Sequence, residues 1–152
     1  MDKTVDLPFD LETFLPYRLA MAAGRVSRTF AERYRSEFGI SIAEWRVIAN
    51  LTQKEAVSVR DIFERVDMDK SKVSRAASRL EKAGYIRKLV NPGDRRLVSL
   101  TLTAKGRNLA AEILPMAVAF QDELLASLGD TAQGLQAGLD RLLEHGDSEA
   151  DA

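Results

Sequence analysis

The chain has 152 residues, with 22 lysines and arginines against 23 aspartates and glutamates, one histidine and no cysteine. That length fits a single domain with enough apolar content for a core, and the missing cysteine excludes disulfide scaffolds, thiol redox sensing and cysteine-based zinc sites. No apolar run reaches transmembrane length and the opening MDKTVDLPFD lacks a signal-peptide core, so a cytoplasmic chain without a membrane partner is expected.

Residues 1–10 are polar, contain Pro8 and read as a partly ordered arm. Leu15, Leu19, Ala22, Val26, Phe30 and Tyr34 then recur at spacings of three and four, the period of an amphipathic helix. Proline belongs in a helix's first turn, so Leu11–Leu15 reads as a turn or short helix and Pro16–Phe38 as the main one, ended by Gly39. The N-terminal half of so long a helix has no obvious partner in a small domain, and a subunit interface would bury it. Ser41-Ile42-Ala43-Glu44 is a capping box opening a helix to about Leu51, with Trp45, Val47, Ile48 and Leu51 as core positions. Gln53–Val57 is a loop able to add a short strand.

Ser58 can cap a helix over Val59–Val66, whose Ile62, Phe63 and Val66 make an apolar stripe. Asp67-Met68-Asp69 is a short link, and either aspartate can cap the helix that follows, Lys70–Ala83. Val73, Ala77 and Leu80 share one face there, while Ser71, Lys72, Ser74, Arg75, Ser78, Arg79 and Lys82 occupy the rest. Gly84 stands where a left-handed residue closes a helix. Tyr85–Val90 is strand-like, Asn91-Pro92-Gly93-Asp94 is a dense turn signal, and Leu97–Leu102 alternates. Val98, Leu100 and Leu102 fall on one face, with Leu97, Ser99 and Thr101 on the other. Two short helices followed by a hairpin predict a winged helix-turn-helix.

Charge says what this unit meets. Between Lys70 and Arg107 lie eleven of the chain's cations, opposed only by Glu81 and Asp94, although the whole chain carries a net −1. An ordinary solvated helix face interleaves both signs; this one points to a polyanion. In a helix-turn-helix the second helix enters the major groove with its N-terminal residues nearest the bases. Here that end offers Lys70, Ser71, Lys72, Ser74 and Arg75, with an arginine fork matched to the guanine O6/N7 edge. Lys72 and Arg79 flank the reading face and are assigned to phosphates.

After the hairpin, Thr103 can cap a helix through Ile113, Leu114, Phe120, Leu124, Leu125 and Leu128, which Pro115 should kink or break. Gly129-Asp130 is a stop and restart, with Asp130 capping a last helix that aligns Leu135, Leu139, Leu142 and Leu143. This region is acidic, with Arg141 nearly alone among Glu112, Asp122, Glu123, Asp140 and Glu144, which places it away from a duplex. His145 lies in a polar tail and reads as solvated, and His145–Ala152 as frayed. The fold class is mainly α with a small β-hairpin wing. Its expected divisions are an arm and dimerisation helix over 1–38, a DNA-binding region over 39–103, C-terminal dimerisation helices over 104–145 and a disordered tail over 146–152.

Ser41-x-x-Glu44-Trp45-Arg46-Val47, Ser71-x-Val73-Ser74-Arg75, Leu80-Glu81-Lys82-x-Gly84-Tyr85-Ile86, Asp94-x-Arg96 and Leu102-Thr103-x-x-Gly106 follow in fixed order. In that order and spacing the sequence resembles the MarR-type (multiple antibiotic resistance regulator) transcription factors over nearly its whole length. The resemblance implies a homodimer joined through both chain ends, double-stranded DNA with an inverted-repeat operator as partner, and repression relieved by a small molecule. It implies that Arg96 enters the minor groove beside Arg95 and that Asp94 orients the wing. Thiol-based peroxide sensing, known in some relatives, is closed to a chain without cysteine. The resemblance suggests an effector pocket for an aromatic carboxylate or phenol, with Tyr17, Arg18, Trp45 and Arg46 able to line it; the same arginines can instead form internal ion pairs and the aromatics core. A DNA-binding protein of this fold without an effector, competing with other chromosomal proteins, is the alternative. One poorly placed histidine, no cysteine, no phosphate-binding glycine loop and no metal-ligand cluster argue against an enzyme, a cofactor or a metal.

Overall fold

The computed structural model describes residues 8–147, with side chains described to Glu144. Residues 1–7 of the expected arm, residues 148–152 of the expected tail and the side chain of His145 lie outside the described residues, while Gly146 and Asp147 belong to the last helix. Among the described residues six α-helices and three strands run in the order α1 (Leu15–Phe38), α2 (Ile42–Leu51), β1 (Val57–Ser58), α3 (Val59–Val66), α4 (Lys70–Lys82), β2 (Ile86–Asn91), β3 (Asp94–Leu102), α5 (Ala104–Leu128) and α6 (Ala132–Asp147). The chain forms two compact units that meet within α5, one ending at Ala111 and the other beginning at Glu112.

In the first unit, a 3-10 turn over Leu11–Thr13 precedes α1, and Pro16 sits in the helix's first turn, where its missing N–H costs nothing. The capping box of α2 is complete: Ser41 Oγ accepts from the Glu44 N–H at 3.2 Å, and Glu44 Oε1 accepts from the Ser41 N–H at 3.4 Å. Between the helix-turn-helix elements the chain turns through Asp67 in the left-handed region (φ 49°), so the cap of α4 falls to Asp69. The core of this unit gathers Tyr34, Val47, Ile48, Ile62, Val73, Leu80, Ile86 and Leu100, each under 2 % exposed. Burial pushes the Tyr34 phenol up to about 12, against the lowering pull of Arg35 and Arg46, so it stays neutral in any physiological medium.

The three strands form one antiparallel sheet in the order β1-β3-β2. The loop before α3 supplies the short third strand, with Val57 opposite Leu100 and Ser58 opposite Ser99. The hairpin is longer than its β-propensity predicts, because Asn91 pairs with Asp94 and leaves only Pro92-Gly93 as loop. Arg95 and Arg96 fall within β3 but, with Leu97, have no partner on β2: the register shifts between Val90 and Asn91, so these three bulge between the Asn91–Asp94 and Val90–Val98 pairs. Thr101 also departs from the alternation. It is buried, and its hydroxyl donates to the Glu55 carbonyl at 2.6 Å, because the loop before β1 reaches it.

At the base of the wing four elements converge. Gly84 takes φ +85° after α4, a conformation that side chains resist. The Thr103 hydroxyl donates to the Gly84 carbonyl at 2.6 Å and accepts from the Gly106 N–H at 3.1 Å, capping α5. A Cβ at Gly106 would fall on the Tyr85 carbonyl, so the first turn of α5 lies on backbone and only glycine fits.

The second unit holds the rest of α5, a 3-10 turn over Gly129–Thr131 and α6. Helix α5 continues through Pro115 without a break. Asp130 lies inside the 3-10 turn rather than directly before α6, and the Thr131 hydroxyl bonds the Leu128 carbonyl there at 2.6 Å. Leu114, Val118, Leu135, Leu139, Leu142 and Leu143 are all exposed.

Candidate nucleic-acid interface

Helix α4 buries Val73, Ala76, Ala77 and Leu80. At 100° per residue, Ser71, Arg75, Ser78 and Lys82 lie opposite that stripe. Lys72 and Arg79, seven apart, share one shoulder, while Lys70, Ser74 and Glu81 share the other. All nine of these residues are exposed. The α4 start is tightly tied: Asp69 accepts the Ser71 N–H at 3.1 Å and the Ser71 hydroxyl at 3.1 Å. Those two bonds hold the Asp69 carboxyl below its ordinary 3.8, the backbone donor contributing most. Ser71 is thus partly occupied by the cap.

Asp94 and Arg96 form a closed unit at the wing tip. Asp94 accepts the Arg96 backbone N–H at 3.0 Å, Nε at 3.2 Å and Nη2 at 3.4 Å. The Arg96 side chain, and secondarily its N–H, hold the Asp94 carboxyl below the usual range. Asn91 Oδ1 accepts from the Gly93 N–H at 2.8 Å, so the turn is closed from both sides. Arg95 is exposed beside it.

Between α3, α4 and the hairpin runs a cleft of about 1310 Å³, with Phe63, Val90 and Val98 among its apolar walls and Lys70, Ser74 and Arg96 among its polar ones. Of the predicted α4 and wing cations Lys70 and Arg96 line this cleft, whereas Lys72, Arg75, Arg79 and Arg95 lie outside it.

Two further cations are engaged by carboxylates in a way the sequence did not announce. Arg79 Nε lies 3.5 Å from Glu44 Oε1 of α2, and Lys88 Nζ of β2 lies 3.8 Å from Glu81 Oε1 of α4. Glu44 reads from sequence only as a cap residue; nothing in its spacing to Arg79 signals a contact made by tertiary packing.

The four residues suggested for an effector pocket are not gathered within the first unit. Trp45 packs edge-on to Phe30 at 5.6 Å between ring centroids and lies 5.9 Å from Tyr34. Arg46 Nη2 donates to Ser27 Oγ at 3.3 Å. Ser27 lies nine residues beyond Arg18 on α1, which at 1.5 Å per residue is about 13 Å along the axis. Tyr17 and Arg18 themselves are exposed.

Residues 40–98, the span from the α2 cap to the wing, match the MarR family model. The transcriptional regulator TtmR of Methylorubrum extorquens is 30% identical over 100 residues, covering 66% of this chain; the chain spans about half, 49%, of that relative's length. A MarR family transcriptional regulator from Silicibacter pomeroyi superposes with a TM-score of 0.78 at 27% identity, covering 90% of this chain and 97% of that one. BpsR of Bordetella bronchiseptica, whose DNA binding is regulated by 6-hydroxynicotinic acid, shares the fold at a TM-score of 0.76 and 23% identity over 91% of this chain and 98% of its own.

Proposed function

We propose that the chain is a MarR-type winged-helix regulator, a cytoplasmic homodimer repressing transcription from an inverted-repeat operator. The observation that carries this reading is the concentration of half the chain's cations between Lys70 and Arg107, on the exposed faces of α4, the wing and the start of α5. In the proposed complex Arg75 reads a base edge in the major groove while Lys70, Ser71, Lys72 and Ser74 serve phosphates and neighbouring bases. Arg95 and Arg96 approach the minor groove, where Asp94 holds the Arg96 fork ready. Dimerisation is supported by the exposed apolar side chains of each unit: Phe14, Leu15, Tyr17 and Met21 in the first, Leu135, Leu139, Leu142 and Leu143 in the second. Among the described residues no helix is long and apolar enough to cross a membrane.

Release by a small aromatic acid or phenol is the second part of the proposal, and the regulation of BpsR DNA binding by 6-hydroxynicotinic acid supports it. Effector-free action is the competing reading. It is favoured by the packing of Trp45 on Phe30 and by the Arg46–Ser27 bond, which give both pocket residues structural work. Enrichment of duplexes from a random-sequence pool tests the first part: a two-fold symmetric consensus is expected, with half-sites about one helical turn apart. Absence of any enriched sequence would overturn it. A thermal-shift screen of aromatic acids, starting with 6-hydroxynicotinic acid, decides the second, because a ligand of the native state raises Tm. No shift across the screen would leave the effector-free reading standing.

A further inference from the structure

The stripe by which α4 packs is half alanine, Ala76 and Ala77 beside Val73 and Leu80. Alanines present no ridge for a groove to grip, so this stripe alone holds the helix weakly against rotation about its own axis. Rotation matters at such a helix. Its side-chain surface lies about 5–6 Å from the axis, so a roll of about 10° moves the surface by roughly 1 Å, enough to spoil a bidentate hydrogen bond.

The two ion pairs of α4 sit on opposite shoulders of that stripe. On one, the cation belongs to α4 and the carboxylate to its neighbour, Arg79 to Glu44; on the other the polarity is reversed, Glu81 to Lys88. They fall two residues apart in sequence and draw the helix both ways, toward α2 and toward β2. The Glu44 side chain is only 14% exposed, and its Oε1 faces both the Ser41 N–H and Arg79 Nε. Glu44 is thereby itself immobilised by the capping box, as an anchor needs to be.

We propose that Glu44 is a positioning residue for DNA sequence discrimination: through Arg79, and balanced by Glu81–Lys88, it sets the roll of α4 and so the direction in which Arg75 points. The inference rests on the reading of α4 as the recognition helix. It replaces the assignment of Arg79 to a phosphate, and the two accounts differ in sign. If Glu44 merely withholds Arg79 from DNA, removing its charge frees a cation and tightens binding to every duplex. If it positions α4, removing its charge loosens discrimination.

Glu44→Gln separates these, because glutamine keeps the capping box while losing the charge. Binding of the full chain is measured against the duplex that the wild type enriches from a random pool and against a scrambled duplex of equal length, over a salt series. The ratio of the two affinities is expected to fall about three- to fivefold, the range of a partly exposed ion pair, with the salt slope on scrambled DNA unchanged. Arg79→Gln carries the same test from the exposed end of the pair, should Glu44→Gln unfold α2. It should lower the ratio equally, the double variant should add no further loss, and Arg79→Lys should restore most of it. An unchanged ratio in both single variants, or uniformly tighter binding with a salt slope steeper by about one per subunit, would overturn the proposal. A wild type that enriches no sequence overturns the regulator reading itself, an outcome visible before any variant is made.

Discussion

Arg75 and Arg96 carry the same guanidinium in different surroundings, and the difference decides what each can report about DNA. Arg75 stands on the outward face of α4 within its first two turns, whereas Arg96 is folded onto Asp94 at the hairpin tip. Arg75→Ala is expected to cost about 1–3 kcal/mol per half-site and to flatten preference at one base position, since a bidentate major-groove contact is base-specific. Arg96→Ala should weaken binding to many sequences, lower any preference for A·T-rich flanks and reduce the salt slope by about one phosphate per subunit. Binding series over site variants and salt check both; reversed outcomes would mean the helix and wing are assigned to the wrong grooves. Asp94 adds a pH signature. Its carboxyl is held below the ordinary 3.8 by Arg96, so the contribution of the pair is present above that ordinary value and lost as pH falls through the lowered folded value. NMR titration of the wing should show Asp94 protonating at lower pH than in an Asp94-containing peptide, and Arg96→Ala should reduce the difference to the part owed to the backbone N–H of residue 96.

Among the elements, the first turn of α5 has the least room for change. Thr103 and Gly106 lay it against the Gly84–Tyr85 backbone, and Lys105 adds a bond to the Ala83 carbonyl at 2.7 Å while lying over the Tyr85 ring. Gly106→Ala forces a methyl group into the Tyr85 carbonyl and should destabilise by about 1–3 kcal/mol, the usual cost of overpacking. Ser41→Ala at the α2 cap should cost about 1 kcal/mol. Urea unfolding measures both, and a Gly106→Ala variant as stable as wild type would show that the wing base tolerates a shift the geometry denies.

For the whole molecule, the apolar side chains left exposed on each unit are the dominant unfinished business. Leu139 and Leu142 are 39% and 53% exposed on α6, at helical spacing with Leu135. Single exposed leucines are ordinary, but an aligned set on each unit requires a cover. Sedimentation is expected to show a dimer at micromolar concentration, and Leu139→Glu with Leu142→Glu to give a monomer or aggregate with weakened operator binding. A double variant that remains dimeric and binds as before would remove α6 from the interface.

Much of this was legible along the chain, because caps, turns and helical periods are local. Ser41 and Glu44, Ser58, Gly84 and Thr103 mark their elements through bonds to residues a few positions away, and the α3–α4 pair with its hairpin follows from those signals. The basic character of α4 and the wing needed only counting. What required tertiary structure was long-range. Thr101 is buried by a loop 46 residues upstream. Arg79 meets Glu44, and Arg46 meets Ser27, across separations that no spacing encodes. A cation's sequence neighbours tell how much positive charge a helix carries; which carboxylate it meets is settled by packing, when apolar stripes such as Val73–Leu80 choose the faces that touch.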